Sequence, residues 1–253
     1  FNTTTETQSR QTFTVGQTDV PHNPTYYHRG TGGSTEWYER RQTIENVAIT
    51  VGREVTLSYW MKGSSAFTNA PYSTQNFGSG GSGDVATALS TASITTSWAR
   101  YTHTFTPPSI SGKTVGASNY LKLSVLRANL NNITVEMANV QFEFGSVATD
   151  FEQRSYGEEL ALCQRYYCSS FPAGINPANN TLFDNQGVAG WTTFTSTSAR
   201  SPFIKYPVAM RTAPSLTLYN GSNVDGNGLW GIYTGAWDGS SAQSSEGTNK
   251  HFN

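Results

Sequence analysis

The stretch that decides the fold is VTLSYWMKGS, at residues 55–64. Its apolar residues Val55, Leu57, Tyr59 and Met61 alternate with Thr, Ser, Trp and Lys. A period of two is typical of a β-strand, because successive side chains point to opposite faces of the sheet. The stretch therefore predicts a strand with one face buried in a core and the other face toward solvent.

Other strand-like segments lie on both sides of this stretch. They are predicted at Arg10–Val15, Gln42–Ile49, Ala86–Ile94, Ala99–Phe105, Tyr120–Leu126 and Ile133–Phe144. The last segment changes phase between Met137 and Ala138, which a β-bulge would explain. Val20–Ser34 is rich in Pro, Gly and Asn, and NFGSGGSG at 76–83 is rich in Gly, so both predict loops. Short strands separated by turns indicate an antiparallel β-sandwich.

The composition favours the same all-β class. The 253 residues include 24 Gly, only 13% are charged, and the formal net charge is −1. The abundant Ser, Thr, Asn and Gln suit strand faces and turns but have poor helix propensity. A chain this close to neutral has no long-range attraction for nucleic acid, and no apolar run approaches the roughly 20 residues of a membrane-spanning helix. We therefore expect neither a nucleic-acid partner nor membrane insertion.

One helix is predicted, at Tyr156–Tyr167. Ser155 followed by Glu158 matches the capping-box pattern that starts helices. A narrow stripe along this helix is formed by Leu160, Cys163 and Tyr167. The stripe must pack either on the sandwich or on a second copy of the chain. Because it is too narrow for a core of its own, we favour an oligomer interface, and a homotrimer as the assembly.

We divide the chain into three parts. Residues 1–153 are predicted to form the sandwich, residues 154–170 a connecting helix, and residues 171–253 a smaller C-terminal β domain. Strand-like segments of this last part are Val188–Thr195, Phe203–Met210, Leu216–Tyr219 and a hairpin around Leu229–Tyr233. The start at Phe1 and the lack of a closing signature at Asn253 are compatible with further sequence at either end.

No residue pattern predicts catalysis or a metal site. The histidines stand in no ligand spacing, and no HExxH, GxSxG or P-loop occurs. Cys163 and Cys168 lack the two further ligands that a zinc site needs. Glu158 and Glu159 are adjacent on the predicted helix and point about 100° apart, so they do not face one substrate bond. We expect no catalytic residue, no metal, no cofactor and no enzymatic activity.

Three blocks of sequence resemble a known family. They are residues 55–64, TTSWARYTHTFTPPSISGKTVG at 95–116, and MANVQFEFGSVATDFEQRSYGEELALCQRYY at 137–167. Together they resemble the carbohydrate-binding-module-like domain of bacteriophage tail fibre and minor virion proteins. The matching residues are Trp98, Arg100, Tyr101, Gln141, Glu143, Gly145, Ala148, Thr149, Phe151, Glu152, Arg154, Cys163, Gln164, Arg165, Tyr166 and Tyr167. The chain departs from the family at Phe142 and Phe144 and in lacking the usual opening strand.

The resemblance implies a jelly-roll or galactose-binding-like sandwich in a virion protein that is frequently trimeric. It implies assembly in the bacterial host cytoplasm, a location in the virion, and other virion proteins as partners. Two functions stay open. One is a tail fibre or host-facing appendage subunit that binds a bacterial surface polysaccharide. The other is an architectural subunit without a ligand, such as a baseplate, fibre-mount or capsid-surface protein.

A sugar site needs an aromatic ring for the apolar side of a pyranose, flanked by amides or carboxylates for its hydroxyls. Trp60 is a candidate because it lies on the polar phase of its strand, beside Lys62. Trp37, in a predicted loop, and Tyr72, close to Gln75, are the other candidates. The alternative for each ring is packing on a sheet or at a subunit interface.

Overall fold

The structure is a computed structural model that describes residues 7–33, 37–169, 171, 193–195, 198–200, 206–215, 217, 232–233 and 237–238. The chain divides into two compact units, Phe1–Glu152 and Gln153–Asn253. The first unit contains two main antiparallel sheets, and the second contains a helix and short strand pairs.

The strands of the first unit are, in chain order, β1 (Thr7–Thr12), β2 (Tyr26–Thr31), β3 (Trp37–Glu45), β4 (Val55–Gly63), β5 (Phe67–Asn69), β6 (Tyr72–Asn76), β7 (Val85–Ala88), β8 (Ala92–Ile94), β9 (Ala99–Phe105), β10 (Tyr120–Asn129) and β11 (Thr134–Phe144). The first sheet has the order β1-β2-β11-β4-β9, and the second has the order β3-β10-β6-β7. β5 and β8 form a separate pair. All of these strand pairings are antiparallel.

The core lies between the two sheets. Its buried members are Tyr38, Leu57, Tyr59, Met61, Leu89, Ala92, Ile94, Leu123, Val125, Leu126, Ala128, Leu130 and Val135. They include the apolar phase of β4, whose Leu57, Tyr59 and Met61 are fully buried, as the alternation predicted. Removing these side chains from water is the main force that holds the two sheets together. The predicted all-β antiparallel sandwich followed by a short helix is confirmed.

The second face of β4 is not simply solvent-exposed. Thr56 and Ser58 are each only 1% exposed. The hydroxyl of Thr56 donates to the carbonyl of Gly145 at 2.7 Å, so the segment after β11 covers this half of the strand. The prediction that the polar phase faces solvent is therefore wrong for the first half of β4, whereas Trp60 and Lys62 are half-buried.

The boundaries of other strands differ from those predicted. β9 lies at Ala99–Phe105, as predicted, but β2 occupies part of the predicted loop 20–34. Residues 86–94 form parts of two strands, β7 and β8, rather than one. In β11 the register shifts between Ala138 and Gln141, which confirms the predicted bulge slightly downstream. Asn139 has a positive φ of 47° there, a conformation that Asn tolerates better than most residues.

A second bulge lies in β10 and orients the outer face of the second sheet. The register with β3 shifts between Ser124 and Leu126, so Val125 is the extra residue. Asn69, fully buried, holds this bulge because its Nδ2 donates to the Val125 carbonyl at 2.9 Å and its Oδ1 accepts from the Arg127 N–H at 2.8 Å. The bulge thus has its backbone groups satisfied by one side chain.

In the second unit, helix α1 (Tyr156–Gln164) carries the predicted capping box, with Ser155 and Glu158 bonded reciprocally. It ends three residues before the predicted end, so Tyr167 lies beyond it. The short strands β12 (Thr193–Thr195), β13 (Ser198–Arg200), β14 (Ile232–Tyr233) and β15 (Trp237–Asp238) pair as β12-β13 and β14-β15. Residues 206–210 of the predicted strand 203–210 are not in a strand. Most of the other predicted strands of this part lie outside the described residues.

No helix in the described part of the chain combines the length and apolarity required to cross a membrane.

Candidate functional site

The outer surface of the second sheet gathers aromatic and charged side chains from three neighbouring strands. β10 is the middle strand of this surface, with β3 on one side and β6 on the other. We call it the second-sheet face, and it consists of Trp37, Glu39, Arg41, Tyr72, Lys122, Ser124 and Arg127. The register places Arg127 opposite Glu39, and Ser124 opposite both Arg41 and Tyr72. Residues from distant parts of the sequence therefore lie side by side.

Arg127 connects the two aromatic rings of this face. Its Cζ lies 4.4 Å from the ring centroid of Trp37 and 5.3 Å from that of Tyr72. Trp37 is 61% exposed although it lies in a strand rather than in the predicted loop. On the other side, Lys122 Nζ lies 5.1 Å from the Tyr72 ring centroid. The structure thus brings Trp37 and Tyr72 onto one surface, joined by an arginine that the sequence did not indicate.

Glu39 is the acceptor at the centre of the face. Its Oε1 accepts a hydrogen bond from the Tyr72 hydroxyl at 2.9 Å and another from the Ser124 hydroxyl. Partial burial opposes ionisation of Glu39, but these hydrogen bonds and the charges of Lys122 and Arg41 outweigh it and hold its pKa below the usual value. The carboxylate is therefore ionised at neutral pH and fixed in orientation.

The remaining sequence candidates do not join this face. Gln75 is 1% exposed, and its amide donates to the carbonyl of Pro108 at 2.9 Å. Its side chain is therefore not accessible to a ligand on this face. Trp60 is on the outer side of the first sheet, half-buried beside a cavity of about 30 Å³. That cavity is also lined by Pro21, His22, Arg100, Asn139, Asp150 and Phe151. Because the outer faces of the two sheets point in opposite directions, Trp60 and Trp37 cannot contact one small ligand.

A family comparison bears on this sandwich. Residues 2–120, just under half of the chain, match the model of a family described as a carbohydrate binding domain. Over residues 2–120 the chain is therefore similar to a carbohydrate binding domain. This match confirms the carbohydrate-binding-module-like part of the resemblance drawn from the sequence. The match includes Trp37, Glu39 and Tyr72 but ends before Lys122 and Arg127. No curated protein matches the chain.

Solved structures similar to the chain include carbohydrate-binding domains. The CBM22-1 xylan-binding domain of Paenibacillus barcinonensis Xyn10C has 12% identity and a TM-score of 0.37, and the match covers 56% of this chain and 87% of that one. The CBM22-2 domain of the same protein has 12% identity and a TM-score of 0.40, with 56% and 89% covered. The enzymatically active domain of bacteriophage CBA120 tailspike protein 4 has 13% identity and a TM-score of 0.37, with 55% and 19% covered.

The outer face of the first sheet is self-contained. Phe13, Tyr27 and Trp98 form a ring cluster with centroids 4.6 to 5.7 Å apart. The acid on this face, Glu136, is 8% exposed and binds Arg29 and Lys62, the latter at 3.0 Å. Aromatic rings and charges are thus paired within the protein, which favours a structural role.

A cleft of about 510 Å³ lies beside β3, between residues of the two sheets. Its walls include Ile44, Ile49, Val140, Phe142 and Phe144. The cleft is also lined by polar and charged side chains, those of Arg40, Arg41, Gln42, Thr50 and Glu143. The second-sheet face differs from the cleft because it presents an exposed tryptophan ring, that of Trp37, next to a charged donor, Arg127.

The three predicted interface residues of the second unit are accessible in the single chain. Leu160 is 39% exposed, Tyr167 is 65% exposed and Cys163 is exposed. No residue of α1 is buried. Within the described residues there is also no cluster of three or more His, Cys, Asp or Glu side chains that could hold a metal ion.

Proposed function

We propose that the chain binds a bacterial surface polysaccharide through the second-sheet face. The observation that carries this proposal is the exposed Trp37 ring next to Tyr72, with Arg127 between them and the ionised Glu39 alongside. A pyranose has an apolar side that packs on an aromatic ring, and hydroxyls that need both donors and acceptors. Arg127 and Lys122 supply donors, and Glu39 supplies the acceptor.

A Trp37→Ala variant tests the site. An aromatic contact of roughly 40–80 Å² is worth about 1–2 kcal/mol, so retention on the bound polysaccharide should weaken about 5- to 30-fold. The matched control is Tyr26→Ala, because Tyr26 is 49% exposed and has Arg10 Cζ 4.4 Å above its ring, but lies on the first sheet. The measurement is affinity electrophoresis and surface binding on a panel of neutral and acidic bacterial polysaccharides. Equal binding of wild type and Trp37→Ala would refute the site, and no binding to any polysaccharide would refute the function.

The proposed setting is a bacteriophage virion. We take the chain to be a non-catalytic tail fibre or host-facing appendage subunit, assembled in the bacterial host cytoplasm with other virion proteins. The support is the resemblance of residues 137–167 to phage structural proteins and the match to a binding-domain family. The second candidate is an architectural virion subunit without a ligand, favoured by the self-contained first-sheet face. Immunogold labelling of particles tests the setting, since a distal position fits receptor binding and a proximal one fits scaffolding.

We propose a homotrimer built around the exposed stripe of α1. Leu160 and Cys163 lie on one side of the helix, and Leu162 lies about 200° from Leu160 at 100° per residue. Leu160→Glu should therefore dissociate the assembly, whereas Leu162→Glu, at a site that is 48% exposed, should not. Multi-angle light scattering of the full chain gives the mass. A monomeric wild type, or equal effects of the two substitutions, would contradict the interface.

A further inference from the structure

Among its described residues, the sandwich contains two Arg–Glu pairs that lie opposite each other on neighbouring strands, and the two pairs make different contacts. On the first sheet, Arg29 is opposite Glu136, and its Nε donates to Glu136 Oε1 at 2.8 Å. Lys62, on the other neighbouring strand, binds the second oxygen of the same carboxylate at 3.0 Å. Two cations therefore share one carboxylate within the protein.

The second sheet repeats this arrangement without the ion pairs. Arg127 is opposite Glu39, and Lys122 is nearby on the same strand. Here Glu39 Oε1 is occupied by the hydroxyls of Tyr72 and Ser124, while Arg127 lies over the two rings. Among the residues that the structure describes, neither the Arg127 guanidinium nor the Lys122 ammonium has a carboxylate at ion-pair distance. Both cations keep their hydrogen-bond donors for another partner.

The rings hold the Arg127 guanidinium in place without using its donors. A guanidinium stacks on aromatic faces, and this contact leaves its planar N–H groups free at the edge. The same planar group matches a carboxylate or a phosphate-like ester with two parallel hydrogen bonds. Stacking between two rings therefore prepares Arg127 for an anion that lies beside a sugar packed on Trp37.

We infer that the second-sheet face takes an anionic glycan, with the acidic group of a sugar unit bound by Arg127 and assisted by Lys122. This inference rests on the proposed function and specifies its ligand class. Glu39 sets the orientation of the sugar unit. Its negative charge repels the acidic group, and its carboxylate accepts a hydrogen bond from a sugar hydroxyl instead. The bound sugar unit thus has its acidic group toward Arg127 and Lys122, and a hydroxyl toward Glu39.

Three immobilised polymers test the ligand class with the full chain: polygalacturonate, dextran sulfate and neutral galactan. We expect retention on a charged polymer that weakens with added salt, and only weak retention on galactan. Arg127→Gln should weaken retention on the charged polymer roughly tenfold or more, the range of a lost charge-assisted contact. Arg127→Lys keeps the charge but loses the two-point contact, so its retention should fall between those of wild type and Arg127→Gln.

The matched control is Arg10→Gln, which removes one positive charge from over the exposed Tyr26 ring on the first sheet. Its retention should equal that of wild type, and circular dichroism should show all variants folded.

Preference for polygalacturonate identifies a carboxylate as the anion, and preference for dextran sulfate identifies an ester, and both support the inference. Equal losses in Arg10→Gln and Arg127→Gln would overturn it, because the attraction would then be a general field. Strong retention on galactan that depends on Trp37 but not on Arg127 would overturn the anionic ligand while leaving the proposed function intact. Failure on all three polymers would overturn the anionic ligand, whereas the panel of bacterial polysaccharides decides the proposed function separately.

Discussion

Replacing Asn69 with alanine removes a single buried side chain that supports both the core and the second-sheet face. The Asn69 amide donates to the Tyr59 hydroxyl at 2.8 Å and to the Val125 carbonyl at 2.9 Å, and its oxygen accepts from the Arg127 N–H at 2.8 Å. An alanine cannot replace any of these bonds. The Tyr59 hydroxyl keeps its contact with His103 at 2.9 Å, but the two backbone groups of the β10 bulge lose their partner.

The cost follows from those two backbone groups. A buried N–H or C=O left unpaired costs about 1–3 kcal/mol, so the substitution should lower the free energy of unfolding by about 2–6 kcal/mol. In a protein of this size each kcal/mol corresponds to roughly 2–4 °C in melting temperature. The bulge should also become less fixed, and with it the position of Arg127. Retention on the charged polymer should therefore fall even under conditions in which the variant remains folded.

Urea unfolding followed by tryptophan fluorescence measures the first effect, and affinity electrophoresis measures the second. The control is Asn129→Ala, because Asn129 is exposed at the end of the same strand and should change stability by no more than about 0.5 kcal/mol. A loss below about 1 kcal/mol for Asn69→Ala would show that the bulge does not depend on this side chain. If Asn69→Ala is destabilised but its retention is unchanged, Asn69 supports the core and does not position Arg127.

Three further substitutions test the backbone and the buried histidine. Gly78 and Gly80 have φ of 76° and 74°, but a Cβ on Gly78 would lie 2.1 Å from the Ala117 carbonyl oxygen and one on Gly80 would meet nothing within 4 Å. Gly80→Ala should cost about 1 kcal/mol of stability and Gly78→Ala clearly more, so equal losses in urea unfolding would contradict the clash. Burial lowers the pKa of His103 below its ordinary value of 6.5, although the hydrogen bond with Ser90 partly opposes this shift. Between the folded pKa and 6.5 the unfolded chain therefore binds more protons than the folded chain. Stability should therefore fall as the pH decreases through 6.5, and the same pH dependence in His103→Gln would exclude His103 as the cause.

Strands with a clear alternation were predictable, and strands held mainly by edge pairing were not. β4 and β9 lie where their patterns indicated, because one phase of each is apolar and the core selects that phase. β2 has the sequence YYHRGT, with only Gly30 buried, so it shows no apolar phase. Its position is fixed by hydrogen bonds to β1 and β11, which involve the backbone and leave little trace in side-chain pattern.

The candidate site was predictable by residue type but not by face. Trp37 and Tyr72 were chosen as rings, and the two strands that carry them are joined only through β10. Tyr72 and Gln75 are close in sequence, but in a strand an odd separation puts them on opposite faces, so Gln75 points to the interior. Trp60 was correctly assigned to the polar phase of β4. This assignment does not indicate whether Trp37 lies on the same sheet.

Arg127 was missed because of the bulge that Asn69 holds. The predicted strand ended at Leu126, and a strict alternation from Leu121 and Leu123 would have turned residue 127 toward the core with them. The extra residue at Val125 reverses the phase, so Leu126 and Ala128 continue the core while Arg127 joins Ser124 on the outer face. The β10 bulge is held by the side-chain amide of Asn69, which is distant in sequence, rather than by the residues of β10 itself. The side chain proposed to select the ligand is therefore positioned by a core residue that carries no functional pattern of its own.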